Sequence, residues 1–192
     1  MSESQYGMVI DLRGCTGCQT CVIGCKTSNE VPADGYWSHV LNLSGSDELY
    51  LPTEAPDVTM RFRPTLCNHC QDPACVMNCP TGAMHKDEKT GVVSVDQDIC
   101  IGCKSCQSAC PYSIPVFDAE RTVASKCNLC AGRIAAGEDP YCVASCPARV
   151  RHFGPVSDPE SEVSKLISEN DAQVYLPEGG TGPSVYYILP SA

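Results

Sequence analysis

Four groups of cysteines dominate the sequence, and each group could hold a metal centre. The chain has 16 cysteines in 192 residues, and every one belongs to a quartet. The quartets are Cys15, Cys18, Cys21 and Cys25; Cys67, Cys70, Cys75 and Cys79; Cys100, Cys103, Cys106 and Cys110; and Cys127, Cys130, Cys142 and Cys146. Cysteines in such numbers bind iron-sulfur clusters or zinc, or they form disulfides. The spacing within each quartet distinguishes these chemistries.

The first and third quartets, CTGCQTCVIGC and CIGCKSCQSAC, have the CxxCxxCxxxC spacing of bacterial ferredoxins. In this arrangement three close thiolates wrap one 4Fe-4S cluster, while the fourth, expected at the start of a helix, points toward a second cluster. The second and fourth quartets have the same order of four cysteines, with longer loops between some of them. A zinc site needs only two separated pairs of ligands, so zinc binding does not explain the third closely spaced cysteine of these quartets. We therefore expect four 4Fe-4S clusters, fully ligated by cysteine and suited to electron transfer rather than catalysis.

Composition narrows the function further. The formal net charge is −10, which disfavours nucleic-acid binding. No apolar run approaches the roughly 18 residues of a membrane span. The opening segment MSESQYGMVIDLRG has neither the apolar stretch of a signal peptide nor a twin arginine, so we expect no export by a signal of its own. Aromatic residues make up only 6% of the chain, so much of the folding free energy should come from cluster binding.

The fold class predicted from these patterns is α+β, with two ferredoxin-like modules. Gln5 to Asp11 and Gly91 to Asp96 are predicted strands that lead into cysteine loops, and Asp87 to Gly91 is a predicted hairpin turn. The segment from Thr27 to Arg63 is predicted to form loops with a short strand at Tyr36 to Leu43. The predicted organisation is module A, residues 1–27 with 121–155; module B, residues 64–120; an insertion, 28–63; and a C-terminal extension, 156–192.

The extension should contain one amphipathic helix and two strands. Ser157 and Glu160 form a capping box, with Pro159 in the first turn of a helix of about ten residues. The apolar stripe of this helix is Val163, Leu166 and Ile167. The predicted strands are Val174 to Leu176 and Val185 to Leu189. Packing over the cluster core is favoured for the extension over docking to another subunit.

The assignment of ligands to clusters follows from the segment between the second and third quartets, which matches a two-cluster ferredoxin hairpin. These two quartets should exchange their fourth cysteines, and the first and fourth quartets then pair by elimination. The predicted ligand sets are Cys15, Cys18, Cys21 and Cys146 (cluster 1); Cys127, Cys130, Cys142 and Cys25 (cluster 2); Cys67, Cys70, Cys75 and Cys110 (cluster 3); and Cys100, Cys103, Cys106 and Cys79 (cluster 4).

Several residues beside the ligands could affect the clusters. Positive charge would raise a cluster potential, but a solvated surface position is the favoured interpretation for the basic neighbours Lys26, Lys104, Lys126 and Arg149. His69, between Cys67 and Cys70, could donate a hydrogen bond to sulfur, and a structural role is favoured over proton chemistry. Water-excluding packing is favoured over electron relay for the aromatic residues Trp37, Tyr112 and Phe117.

Taken together, the quartets resemble the four-cluster iron-sulfur subunits of the dimethyl sulfoxide reductase family of molybdopterin oxidoreductases. The specific segments are MVIDLRGCTGCQTCVIGCKTSNEVP, RFRPTLCNHCQDPACVMNCPTGA, CIGCKSC and KCNLCAGR followed by CVASCP. The resemblance implies single-electron transfer between a molybdopterin (Mo/W) catalytic subunit, next to cluster 1, and a membrane quinone-reactive subunit or soluble carrier, next to cluster 4. The resemblance is compatible with two locations for the protein: the cytoplasm, or the outer face of the cytoplasmic membrane, which it would reach together with a partner.

Three alternatives remain open at this point. The chain could be the four-cluster subunit of a hydrogenase or carbon monoxide system, or a free polyferredoxin. It could also be an interaction module stapled by metal, without redox function.

Overall fold

The computed structural model describes residues 4–43 and 61–190 as a mixed α+β fold. The strands in this part of the chain are β1 (Tyr6–Asp11), β2 (His39–Asn42), β3 (Phe62–Thr65), β4 (Met84–Lys86), β5 (Val93–Val95), β6 (Val116–Asp118), β7 (Val123–Ser125), β8 (Arg151–Pro155), β9 (Gln173–Val174) and β10 (Val185–Ile188). The α-helices are α1 (Thr20–Ser28), α2 (Ala74–Met77), α3 (Ser105–Ala109), α4 (Ala131–Ala135), α5 (Tyr141–Ala144) and α6 (Glu162–Glu169).

One sheet joins the two ends of the chain. Its strand order is β8-β1-β10-β9, in which β1 runs antiparallel to β8 and parallel to β10. Met8, Val9 and Ile10 in β1 are fully buried, because this strand has a neighbour at each edge and is covered on both faces. The strand predicted at Gln5 to Asp11 is confirmed, and it leads directly into the first quartet.

The remaining strands form three antiparallel hairpins, β2 with β3, β4 with β5, and β6 with β7. The predicted turn at Asp87 to Gly91 is confirmed. The Asp87 carboxylate accepts hydrogen bonds from the backbone N–H groups of Lys89 and Thr90, and Gly91 has a φ of 72°. The strand expected within Tyr36 to Leu43 is also present, as β2. Part of the predicted insertion, residues 44–60, lies outside the described residues.

The helices that carry ligands are short, and the prediction that the fourth cysteine of a quartet starts a helix is wrong. Cys25 lies within α1, Cys110 is the C-terminal capping residue of α3, and Cys79 and Cys146 follow α2 and α5. The helix begins at or near the third cysteine, which leaves room for only one or two turns before the fourth. Cys21 and Cys25, four residues apart, share the buried face of α1.

The cluster loops of the first and third quartets turn sharply before their helices. Gly17 and Gly102 have φ values of 68° and 66°, and the helices α1 and α3 begin after the left-handed residues Gln19 and Lys104. A Cβ on Gly102 would lie 2.3 Å from the carbonyl oxygen of Thr122. Glycine is therefore required at this position for both its backbone conformation and its small size.

The C-terminal helix begins later than predicted. The predicted capping box at Ser157 and Glu160 is wrong, because Ser161 is the N-cap and its hydroxyl accepts a hydrogen bond from the Ser164 N–H at 3.1 Å. The predicted apolar stripe is confirmed, since Val163, Leu166 and Ile167 pack with two strand residues, Val9 and Ile188. The helix therefore covers the sheet, and β10 of the same extension is one of its strands.

The buried core includes many of the thiols. Cys21, Cys25, Cys67, Cys127 and Cys142 belong to the largest cluster of buried side chains, together with residues of β1 and β10. In the part of the chain that the structure describes, no helix is long and apolar enough to cross a membrane.

Candidate iron-sulfur sites

Three cysteines of the fourth quartet and one cysteine of the first line a single cavity. Cys127, Cys130 and Cys142 line it together with Cys25. Trp37 also lines it, and the Trp37 Nε1–H donates to Ser125 Oγ at 2.9 Å. Thiols and one buried aromatic side chain therefore form part of the cavity wall, and the burial of Trp37 agrees with the packing role predicted for it.

A second cavity has the same organisation around the third quartet. Cys100, Cys103 and Cys106 line it with Cys79 from the second quartet. Ile101 and Met84 contribute to the apolar part of the wall. In both cavities, three cysteines of one quartet meet the fourth cysteine of another.

The remaining thiols also group across quartets. Burial raises the pKa of Cys15, and the nearby thiols of Cys21 and Cys146 raise it further. In the other group, burial raises the pKa of Cys75 to about 12, with Cys67, Cys110 and Cys70 as neighbouring thiols that raise it further. Electrostatic influence of this kind requires proximity, so Cys146 lies near the first quartet and Cys110 near the second.

Backbone N–H groups point at several of the sulfur atoms. The amide N–H of Met84 donates to Cys79 Sγ at 3.3 Å, that of Ala124 to Cys100 Sγ at 3.4 Å, and that of Leu129 to Cys127 Sγ at 3.4 Å. Donors to sulfur stabilise the thiolate form, and they raise the potential of a bound cluster. The donor set of these sites is thus thiols surrounded by amides, with no carboxylate among the described residues that line either cavity.

Burial opposes ionisation of most of these thiols. It raises the pKa of Cys25 to about 12, with Cys142 and Cys130 as further causes, and it raises that of Cys70 to about 11. Cys67 differs: burial opposes its ionisation too, but the adjacent His69 and Lys126 outweigh burial and lower the pKa to about 5. Bound iron would keep the whole set deprotonated, so cluster assembly releases protons.

The basic residues predicted next to the ligands occupy different environments. Lys126 is only 2% exposed, so the solvated-surface interpretation is wrong for it, whereas Arg149 and Lys104 are exposed as expected. Lys104 lies over the Phe117 ring, with its Nζ 4.1 Å from the ring centroid. Lys26 is half-buried and donates to the carbonyl oxygens of residues 32, 33 and 35, so it fastens the loop after α1.

Of two further predicted neighbours, His69 is buried in the interior and Tyr112 is half-buried. His69 is 1% exposed, and Lys126 and His69 contact ligands of different quartets. The Tyr112 hydroxyl lies 2.7 Å from Thr181 Oγ1, which ties the segment after the third quartet to the segment that precedes β10.

Arg151, which no sequence pattern singles out, is a buried cation near the thiols. It is 4% exposed, its Nη1 donates to Met8 Sδ at 3.5 Å, and its Nη2 is buried with no hydrogen-bond partner in the described part of the chain. The guanidinium lies near Cys142 and Cys21. Burial lowers the pKa of Arg151, but the charges of these thiolates outweigh burial and raise it. No strand is predicted from the sequence at residues 151–155. Without the strand β8, nothing in the sequence indicates that Arg151 points into the interior.

The Nη2 group of this guanidinium fits an anionic cluster as its acceptor. A 4Fe-4S cluster with four thiolates is negatively charged and exposes sulfur acceptors, which would satisfy Nη2. The fit rests on an orphaned buried donor, on cavities lined by thiols and on the amide donors to sulfur. In the described part of the chain no three His, Cys, Asp or Glu side chains are grouped closely enough for a single metal ion. All sixteen cysteines are free thiols.

Replacing Arg151 with methionine is expected to lower the reduction potential of the clusters bound by Cys21 and Cys142. Loss of a buried positive charge disfavours the added electron, and a tenfold shift in the redox equilibrium corresponds to about 59 mV. Redox titration followed by electron paramagnetic resonance measures the shift. Arg149→Met is the matched control, because Arg149 is exposed. Equal shifts in the two variants would contradict a role specific to Arg151.

Sixteen free thiols, gathered on short loops and helices of a small α+β fold, define an iron-sulfur protein that transfers electrons. Residues 58–156 match the family model of the 4Fe-4S dicluster domain. The chain is similar to the arsenate respiratory reductase iron-sulfur subunit of Shewanella sp. (strain ANA-3), with 37% identity over 96% of each chain. It is 38% identical to a tetrathionate reductase subunit of Salmonella typhimurium (strain LT2), over 96% of this chain and 72% of the relative.

A third relative is a chain of the anaerobic dimethyl sulfoxide reductase of Escherichia coli (strain K12), 40% identical over 81% of this chain and 76% of the relative. The protein described here belongs to the family of iron-sulfur subunits of dimethyl sulfoxide reductase-type molybdopterin oxidoreductases. It is an electron-transfer subunit with four 4Fe-4S clusters, and its partner is a molybdopterin catalytic subunit. The comparisons confirm the predicted family and do not favour the hydrogenase, carbon monoxide or polyferredoxin alternatives.

Proposed function

We propose that the four clusters form a single line for electrons, in the order cluster 1, 2, 3, 4, with the fourth cysteines exchanged between quartets. Cluster 1 is bound by Cys15, Cys18, Cys21 and Cys146; cluster 2 by Cys127, Cys130, Cys142 and Cys25; cluster 3 by Cys67, Cys70, Cys75 and Cys110; and cluster 4 by Cys100, Cys103, Cys106 and Cys79. The cavities that mix three cysteines of one quartet with the fourth of another support this assignment.

The packing of the helices supports two ferredoxin-like modules. In module A (1–27 with 121–155), α1 carries Cys21 and Cys25 and packs against α5, which carries Cys142. In module B (64–120), α2 and α3 pack against each other and carry Cys75 and Cys106. Each module thus pairs two short helices, one from each of its quartets, as a two-cluster ferredoxin requires.

Neighbouring thiols support the order of the line. Burial raises the pKa of Cys142, and the nearby Cys21 thiol raises it further, which joins clusters 1 and 2. Burial also raises the pKa of Cys127, and Cys67 is the next cause, which joins clusters 2 and 3. Clusters 3 and 4 share module B. The two middle clusters therefore meet at the boundary between the modules.

The single observation that carries the proposal is the exposure of the ligands. Among the sixteen cysteines, only Cys18 and Cys103 are exposed, and they belong to the first and last clusters of the line. Electrons can therefore leave or reach the chain at two separate places. By analogy with the family, the Cys18 end faces the catalytic subunit, and the Cys103 end faces a membrane quinone-reactive subunit or a soluble carrier.

The surface near the Cys103 end carries three exposed apolar side chains. Met77, Ile99 and Ile101 are 71%, 50% and 65% exposed, and they lie close in sequence to the ligands of cluster 4. Exposed apolar side chains around an electron exit suit a partner that excludes water on docking. At the other end, Ile23 in α1 is 56% exposed.

Replacing Ile101 with glutamate is expected to slow electron exchange with the quinone-reactive partner or carrier about tenfold, because a buried charge at the interface costs at least about 1.4 kcal/mol. Association with the catalytic subunit should be unchanged. Both properties are measured on the purified complex, by the rate of electron transfer from the partner and by retention of the molybdenum-containing subunit on gel filtration.

Ile23→Glu is the matched variant at the opposite end and should give the reverse result. The proposed direction of the line places cluster 4 at the partner or carrier. It would be overturned if the Ile101 variant lost the catalytic subunit but still exchanged electrons normally with the quinone-reactive partner or carrier.

A further inference from the structure

Two buried side chains cross between the sites of clusters 2 and 3. His69 lies in the loop of the second quartet, between Cys67 and Cys70, and Lys126 immediately precedes Cys127. Both are almost completely buried, with 1% and 2% exposure. Burial of an ammonium group is costly unless its protons are all used, so the partners of these side chains reveal their role.

The hydrogen bonds of His69 fix its tautomer. The backbone N–H of Val93 donates to His69 Nδ1 at 3.0 Å, so Nδ1 carries no proton. The remaining ring proton is therefore on Nε2, which lies 3.8 Å from Cys127 Sγ and donates to it. The carbonyl oxygen of His69 accepts from Gln5 Nε2 at 2.9 Å and Ser184 Oγ at 3.1 Å, which holds the residue in place.

Lys126 donates in the opposite direction. Its Nζ donates to the carbonyl oxygens of Val93 and Cys127, and it lies 3.6 Å from Cys67 Sγ. These three acceptors use all three protons of the ammonium group. The positive charge is therefore held against a ligand of the second quartet, although Lys126 belongs to the loop of the fourth.

The two contacts form a reciprocal pair. The histidine of the cluster 3 loop donates to a ligand of cluster 2, and the lysine of the cluster 2 loop donates to a ligand of cluster 3. Val93 in β5 joins them, because its N–H binds His69 and its carbonyl oxygen binds Lys126. The junction between the two modules is thus made of polar contacts directed at sulfur.

We propose that His69 and Lys126 are positioning residues that raise the reduction potentials of the two middle clusters and so set the step by which electrons cross between the modules. The proposal rests on the proposed ligand sets. Each reduction would add negative charge near this junction, where a ligand of cluster 2, Cys127, lies close to a ligand of cluster 3, Cys67. The ammonium group of Lys126 offsets that charge on the cluster 3 side, and the neutral imidazole of His69 contributes a hydrogen bond on the cluster 2 side.

The two residues differ in charge, so their effects differ in size and location. Lys126→Met should move the redox equilibrium of cluster 3 about tenfold toward the oxidised state, which is about 59 mV for one electron. His69→Gln should shift cluster 2 in the same direction by a smaller amount. Clusters 1 and 4 should keep their potentials in both variants.

The test is a redox titration of the purified complex, followed by electron paramagnetic resonance, with iron and sulfide counted in each variant. Lys104→Met is the matched control: Lys104 lies equally close to ligands in sequence, but it is exposed. Lys126→Arg retains the charge and should restore most of the cluster 3 potential. Equal shifts in the Lys126 and Lys104 variants, or a shift spread over all four clusters, would overturn the proposal.

Failure of this proposal is distinguishable from failure of the ligand sets. If the ligand sets are wrong, the Lys126 variant still shifts one potential, but the shifted signal is that of a cluster to which cysteine variants assign other ligands. If the pair does not set the potentials, no signal moves while the four clusters remain assembled. Loss of clusters in both the Lys126 and the His69 variants would also overturn the proposal, because it would assign the pair to assembly.

Discussion

Replacing Cys146 with serine is expected to disrupt the cluster held by the first quartet and to leave intact the cluster held by the rest of the fourth. Cys146 follows α5, and the pKa of Cys15 is raised chiefly by burial and further by the Cys21 and Cys146 thiols. The three other cysteines of the fourth quartet line their cavity with Cys25. Removal of Cys146 therefore takes a ligand from a site to which its own quartet does not otherwise contribute.

The affected cluster is identified by comparing its spectrum with the spectra of variants in which another ligand of the same predicted cluster is replaced. Cys18→Ser removes an exposed ligand that belongs to the first quartet, and Cys130→Ser removes one that lines the cavity with Cys25. The electron paramagnetic resonance spectrum of Cys146→Ser should match that of Cys18→Ser. The spectrum of Cys25→Ser should match that of Cys130→Ser.

The reverse matches would show that each quartet binds its own cluster. The same comparison in module B uses Cys79→Ser, whose spectrum should match that of Cys103→Ser, because these two cysteines line one cavity. Serine has nearly the volume of cysteine and binds iron more weakly, so each variant tests ligation with little change in packing.

Local spacing predicts the parts of the site that lie within a few residues of a ligand. The close turns at Gly17 and Gly102, the hairpin turn after Asp87 and the strand β1 are all predictable, because each depends on its own short segment. In each case the residue types leave one favoured backbone conformation.

The environment of the basic residues is not predictable in the same way. Lys126 and Arg149 both lie close to a ligand in sequence, yet one is buried and the other exposed. The difference comes from contacts with distant segments: Val93 of β5 supplies a carbonyl oxygen to Lys126. The burial of Arg151 is not predictable for a similar reason, since it depends on pairing with Ile10 on the neighbouring strand.

The start of the C-terminal helix shows a limit of capping signals. Ser157 with Glu160 and Ser161 with Ser164 are both plausible N-terminal patterns, and the structure uses the second. The Ser157 hydroxyl instead accepts from the backbone N–H of Gln5, an interaction between residues 152 positions apart. The parallel pairing of β10 with β1 likewise joins the two ends of the chain, and no local pattern encodes it.

Removal of iron and sulfide from the protein is expected to abolish its cooperative thermal transition and most of its secondary structure. The ligand-bearing helices α1, α2, α3 and α5 have four to nine residues, well below the roughly 12 to 15 at which isolated helices become even marginal in water. The hairpins pair strands of three or four residues. These elements depend on the clusters that join them.

Arg151 adds to this dependence. Without clusters, its guanidinium would keep a buried charge whose Nη2 has no hydrogen-bond partner among the described residues. An uncompensated buried charge costs several kcal/mol. Since a domain of this size has a net stability of only about 5 to 15 kcal/mol, this one group would remove a large part of it.

The measurement is calorimetry and far-ultraviolet circular dichroism of the protein before and after chelation of iron under reducing conditions, with reconstitution by iron and sulfide as the control for reversibility. The sheet of β8, β1, β10 and β9 is the strongest candidate for residual structure, because Met8, Val9 and Ile10 are fully buried in it. Yet β1 leads into the first quartet and β8 follows the last, so loss of the clusters releases both strands. An apo-protein that retains a cooperative transition would place the folding free energy in this sheet and refute the dependence on clusters.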